Sequence, residues 1–263
     1  MTSSDNRTPP PNSLITEDQD LLVFIDETGH EDIANSAKLF GVGGIIVYGA
    51  AYLAAIERPW QEIRTQLSLP PDQPLHAASD FELYKSALPQ IANFFNQGAF
   101  VRHVSIVTPQ TTSNFNPFIT ATCCGLVRNV GRALVSALRT VSVSRVVYIL
   151  EHSERLHAEY AKLVGPTGPT LIGADGRRHI FPQVWCALRK SSCTPGLEVA
   201  DFVLHAAQAQ VRARAKSPQA KERKDFHAVF RSVPDDFVEY MEINDATATE
   251  GDGLPGVWRI GLL

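Results

Sequence analysis

Leu21 to His30 reads LLVFIDETGH. Five consecutive apolar residues, Leu21 to Ile25, have the length and composition of a strand buried on both faces, and they run directly into two carboxylates, Asp26 and Glu27. Thr28 and Gly29 supply turn chemistry, which puts the acids at the carboxyl end of a central strand as the chain leaves the sheet. Open α/β sheets bind ligands along that edge. A carboxylate in a dry site costs several kcal/mol unless a cation, a set of donors or water meets it, so acids placed there require a partner.

The pattern recurs downstream. Arg145 to Leu150 (RVVYIL) is a second short apolar strand that ends in acid, Glu151. Between the two, Leu39 to Tyr48 (LFGVGGIIVY) and Phe100 to Val107 (FVRHVSIV) read as strands, and Phe181 to Leu188 as another. Gly41, Gly43 and Gly44 lack G-x-G-x-x-G spacing and open no helix, so they mark a crowded strand rather than a dinucleotide loop. Helical spacing appears over Ala51 to Leu67 (Leu53, Ile56, Trp60, Ile63, Leu67), and again over Phe118 to Leu138, where Ala121, Gly125, Gly131 and Ala133 permit close packing on a sheet. Ser79 or Asp80 caps a short helix after His76. The Gly- and Pro-rich tract from Leu163 to Arg178 has loop composition.

A last helix begins near Pro195, with Leu197, Ala200, Leu204, Ala207 and Val211 as its apolar stripe. At 100° per residue Asp201 falls beside Leu197 and Leu204, facing the sheet, and His205 follows one turn on. Arg212, Arg214, Lys216, Lys221, Arg223 and Lys224 then form a basic stretch, either a solvated helix end or a phosphate-contacting patch.

The net charge of -4 argues against a chain-wide polyanion footprint and leaves room for a local basic face. Residues 1–20 are polar and carry a Pro triplet without a signal-peptide pattern, so they read as a mobile tail on a cytoplasmic protein. No run approaches the roughly 18 apolar residues of a membrane helix. Cys123, Cys124, Cys186 and Cys193 lack metal-site spacing and read as buried small hydrophobes. Neither a G-x-S-x-G elbow nor a P-loop occurs.

Asp26, Glu151 and Asp201 share a placement, two at strand ends and one on the sheet-facing side of a helix. If they converge, they raise one another's pKa and are most easily stabilised by a divalent metal, with oxygen ligands favouring Mg²⁺ or Mn²⁺. FIDETGH at Phe24 to His30, LHAASDF at Leu75 to Phe81, YILEHSE at Tyr148 to Glu154 and RKSSCTPGLEVADFVLHA at Arg189 to Ala206, in that order, resemble the DUF3800 family.

That resemblance implies an α/β, ribonuclease H-like fold with a central mixed five-stranded sheet flanked by helices, with insertions, over residues 21–243. Residues 244–263 are left as a C-terminal loop and edge strand. It further implies a metal-dependent nuclease in which Asp26, Glu151 and Asp201 bind metal, Glu27 is a neighbouring ligand or structural acid, and His76 assists catalysis. Asp80, Lys190 and Ser192 would contact substrate, joined by His205 and by Arg212 and Arg214 of the basic stretch. The chain departs from the family pattern at Glu151, where Asp is usual. The expected partner is nucleic acid, DNA or RNA, with a homo-oligomer left open. The competing expectation is a non-catalytic nucleic-acid- or partner-binding module on the same fold.

Overall fold

The computed structural model describes residues 17–28, 40–109, 116–151, 169–172, 176–188, 193–211, 237–243 and 257–259. Its centre is β1 (Asp20–Thr28), antiparallel to β2 (Phe40–Tyr48) on one side and parallel to β4 (Arg145–Glu151) on the other. Outside these lie β3 (Val101–Pro109), antiparallel to β2, and β7 (Gln183–Leu188), parallel to β4. These are the five strands expected from sequence.

The sheet is nevertheless seven-stranded, in the order β7-β4-β1-β2-β3-β8-β9. β9 (Val257–Arg259) falls in the tract read as an edge strand, whereas β8 (Phe237–Ile243), parallel to β3, is additional. Its sequence FVEYMEI places acids three residues apart, which breaks the period-2 alternation that marks a strand. Part of the Gly- and Pro-rich tract read as a loop forms a small hairpin, β5 (Thr170–Ile172) with β6 (Arg178–Ile180).

Helices cover both faces of this mixed α/β sheet. Helix α5 (Asn116–Ala137) packs on one, where Leu21, Val23, Ile25, Val42, Tyr148 and Leu150 meet Leu126, Val130 and Leu134. The opposite face, with Leu22, Phe24, Ile45, Val104 and Ile149, receives α6 (Pro195–Val211) through Val199, Ala200, Val203 and Leu204. Short helices back α6 in turn: α1 (Gly49–Tyr52), α2 (Arg58–Gln66), α3 (Phe81–Tyr84) and α4 (Leu88–Gln97). Because α6 is covered from both sides, Phe202 and Ala206 are as buried as its sheet-facing residues, and its apolar surface is wider than the stripe read from spacing. Among the described residues no helix is long and apolar enough to cross a membrane.

Three local readings change. Asp20, assigned to the expected tail, is fully buried and accepts hydrogen bonds from Arg145 Nε (2.6 Å) and Nη2 (3.0 Å), fastening the start of β1 to the start of β4. A π-helical turn, Leu53–Glu57, joins α1 to α2 and shifts the buried face, so Tyr52 rather than Leu53 continues the line of Ile56, Trp60 and Ile63, while Leu53 is 44% exposed. Gly131 makes no close approach, since a Cβ there would meet nothing within 4 Å. Of the cysteines, Cys123 is buried and the other three are half-buried.

The glycines of β2 behave as a crowded strand requires. Gly44 has φ +157°, and a Cβ there would stand 2.1 Å from the Phe24 carbonyl oxygen and 2.9 Å from Ala200 Cβ. Gly44→Ala is therefore expected to cost about 2 kcal/mol, measured as a fall in urea midpoint at unchanged slope. A variant as stable as the native chain would show that β1 and α6 can draw apart here.

Candidate functional site

β1 and β4 bring their terminal acids together through register. Ile25 stands opposite Leu150 in the parallel pair, so Asp26 and Glu151 are the next residues on adjacent strands, which lie about 4.8 Å apart. Alternation puts both on the α6 face, because Phe24 and Ile149 point there. Glu27 falls on the other phase, is exposed, and contributes its backbone N–H to Asp26 Oδ1 at 2.9 Å.

The third acid arrives from α6. Asp201 Oδ2 accepts a hydrogen bond from Ala77 N at 2.9 Å and lies 3.7 Å from His76 Nδ1. A strap running from Pro70 to Asp80 carries His76 and Ala77 over the helix. Its end is closed by His76 N donating to Asp80 Oδ2 at 2.7 Å and by Tyr84 Oη donating to Ala77 O at 2.6 Å. Asp80 occupies the cap position of α3, yet its side chain makes no capping bond there and turns back to the strap.

Asp26, His76, Glu151 and Asp201 line one recess of about 30 Å³, together with Pro74, Thr194, Leu197 and Glu198. At about 10–15 Å³ for one water, that is room for two water-sized species. A larger open groove between α2 and α4 holds Glu62 as the only charged residue among the described residues that line it, so it lacks convergent chemistry. His205 is half-buried one turn beyond Asp201 and does not line the recess. Lys190, Ser192, Arg212 and Arg214 lie outside the described residues.

Glu198 is the residue that sequence reasoning passed over. It is 5% exposed, one turn before Asp201, and its carboxylate is held by several donors: Trp60 Nε1 at 2.7 Å, Leu75 N at 3.0 Å, and Arg64 Nη1 through an ion pair. Arg64, itself buried, donates from Nη2 to Pro70 O (3.0 Å) and Gln73 O (2.8 Å). The strap that carries His76 is thus fastened to α2 and α6 by one buried ion pair. The available signal was an acid set between the apolar Leu197 and Val199, three residues before Asp201 in LEVAD.

Apart from Glu198, which is held by Arg64, the donors of the recess are three carboxylates and an imidazole, and they fit Mg²⁺ or Mn²⁺ by chemistry. Among the described residues no three His, Cys, Asp or Glu side chains already stand in a geometry that holds a metal ion. No protein-family model, curated protein or solved structure matches the chain.

Proposed function

We propose that the chain is a metal-dependent nuclease of ribonuclease H-like architecture, related to the DUF3800 family, that hydrolyses phosphodiester bonds of DNA or RNA. One observation carries this reading: Asp26, Glu151 and Asp201, from two adjacent strands and a helix, line a single recess at the carboxyl edge of the sheet with His76. The strand order supports it, since β1, β2 and β3 form an antiparallel meander and β4 and β7 continue parallel to β1 on its other side.

Asp26, Glu151 and Asp201 would hold Mg²⁺ or Mn²⁺. Bound there, the ion supplies charge neutralisation at the phosphate and Lewis acidity toward water. The chain's own groups do the rest. Asp201 fixes the strap through Ala77 N and faces His76 Nδ1, which orients the imidazole at the rim to accept or return a proton. Leu197 and Pro74 wall the recess with apolar surface, which strengthens electrostatics inside it.

The test is cleavage of labelled single-stranded, duplex and hybrid nucleic acids with Mn²⁺ or Mg²⁺. The expected result is metal-dependent cutting that falls at least about a hundredfold in Asp26→Asn, equivalent to about 2.7 kcal/mol, and further in Asp26→Asn with Asp201→Asn. Asparagine retains an acceptor for Ala77 N, so the double variant keeps the strap in place. Cutting by the double variant at the native rate would overturn the reading. If the native chain neither cuts nor takes up metal in calorimetric titration, the non-catalytic binding module is the correct account.

A further inference from the structure

Three consecutive backbone N–H groups of the strap each meet a carboxylate. Leu75 N donates to Glu198 Oε1 at 3.0 Å, His76 N to Asp80 Oδ2 at 2.7 Å, and Ala77 N to Asp201 Oδ2 at 2.9 Å. Two of these acids belong to α6 and the third to the cap position of α3, so the strap is fixed from both directions at the residues around His76.

Ala77 is fully buried and bonded at both ends. Its N–H goes to Asp201, and its carbonyl accepts from Tyr84 Oη at 2.6 Å. Tyr84 is fully buried as well, and its ring packs on Phe202, the residue after Asp201, with centroids 4.9 Å apart. Contacts therefore close a circuit from Tyr84 to Ala77, to Asp201, to Phe202 and back. Beside it, Asp80 is engaged inside the strap through both oxygens, Oδ2 by His76 N and Oδ1 by Ser79 Oγ at 3.1 Å. Asp80 N returns a bond to His76 O at 3.1 Å.

This circuit restricts how Asp201 meets the recess. Its contacts with Ala77 N and with His76 Nδ1 (3.7 Å) both fall on Oδ2, while the residue lines the recess with Asp26 and Glu151. A carboxylate that turns freely offers either oxygen, whereas one pinned through Oδ2 leaves Oδ1 for a cation.

We propose that Tyr84 and Asp80 are positioning residues for the recess: through the Ala77 and His76 peptides they fix the Asp201 carboxylate so that Oδ1 is presented to a divalent cation. The proposal rests on the metal-dependent reading of the site. Neither residue lines the recess, so each acts through the strap rather than by coordination. A partner that orients a ligand spares the entropy of ordering it, and losing such a partner typically costs about 10–100-fold in metal affinity. Tyr84 acts through one intervening peptide, which sets its effect near the lower figure.

The experiment is calorimetric titration of the full chain with Mn²⁺, with circular dichroism confirming the fold of each variant. Tyr84→Phe deletes one hydroxyl outside the recess. Tyr48→Phe, the control, deletes another that donates to Ser142 O, on a residue opposite Leu21 at the far end of β1 from Asp26. Asp80→Ala removes the acceptor for His76 N, and Asp80→Asn keeps one. The expected result is about tenfold weaker Mn²⁺ binding in Tyr84→Phe and in Asp80→Ala, with near-native binding in Tyr48→Phe and Asp80→Asn. A merely structural hydroxyl would lower the unfolding midpoint and leave cation binding by the folded chain unchanged. If Tyr84→Phe fails to fold, the two Asp80 variants decide. Native affinity in Tyr84→Phe and Asp80→Ala, or equal weakening in Tyr48→Phe, would overturn this proposal and leave the metal reading intact. A native chain that takes up no Mn²⁺ would overturn the metal reading and this proposal with it.

Discussion

Arg64→Met is expected to destabilise the protein by about 3–5 kcal/mol, whereas Arg64→Met combined with Glu198→Leu should cost substantially less. Arg64 and Glu198 are 2% and 5% exposed, so removing the guanidinium strands a carboxylate in the interior with only Trp60 Nε1 and Leu75 N to meet it. It also takes the guanidinium donor from the carbonyls of Gln73 and Pro70, the second of which keeps only the bond from Gln73 N. Replacing both charged groups with apolar side chains removes the desolvation cost along with the attraction, and isolates what the pair does for the strap. Urea denaturation of the two single variants and the double measures the coupling. Simple additivity would mean that the ion pair and the strap are independent. If the pair serves chiefly to place His76, the double variant should recover stability but still lose cleavage, because the strap is then fastened to α6 only through Ala77 N on Asp201.

This ion pair also marks the limit of what the chain states locally. Asp26 and Glu151 were legible because each ends a run of buried residues, a contrast written within six or seven consecutive positions. Asp201 was legible because helical periodicity fixes its face. Glu198 obeys the same periodicity, but its meaning depends on Arg64 and Trp60, which lie 134 and 138 residues away, and no local pattern encodes that. Similarly, the strap around His76 reads as a loop with a cap, and only its contacts with α6 show that Asp80 serves the backbone of His76 and Asp201 that of Ala77.

The fold was legible to the same depth. Five strands announced themselves through apolar runs, whereas β8 hides behind period-3 acids and joins the sheet beyond β3, far from its neighbours in sequence. The π turn at Leu53–Glu57 moved the buried face by one residue, a change of phase that a fixed 100° step cannot anticipate. Gly131 was taken for a packing glycine because small residues look alike in sequence whether they face a sheet or a groove. In each case the missing information was which surface a residue meets.

Acid should destabilise this protein through one group in particular, His103. It is fully buried on β3 opposite Gly44, whose missing side chain lets the ring reach the Phe24 carbonyl at 3.3 Å through Nε2. The carbonyl can only accept, which assigns the proton to Nε2, and Nδ1 has no hydrogen-bond partner among the described residues. Burial pushes the imidazole pKa down from 6.5 to about 4, opposed by the bond to Phe24. Below pH 6.5 the unfolded chain therefore takes up a proton that the folded chain refuses, so stability falls as pH drops through that window and levels off below about 4. Each pH unit in the window costs about 1.4 kcal/mol, or about 3 kcal/mol in all. The comparison to make is unfolding free energy at pH 7 and pH 4.5 for the native chain and His103→Gln, which keeps a donor for Phe24 but cannot titrate. Carboxylates contribute equally to both, so the native chain should lose about 2–3 kcal/mol more than the variant. Equal losses would mean that the ring is protonated in the folded state, and that the Nδ1 side of β3 opens to water before the core does.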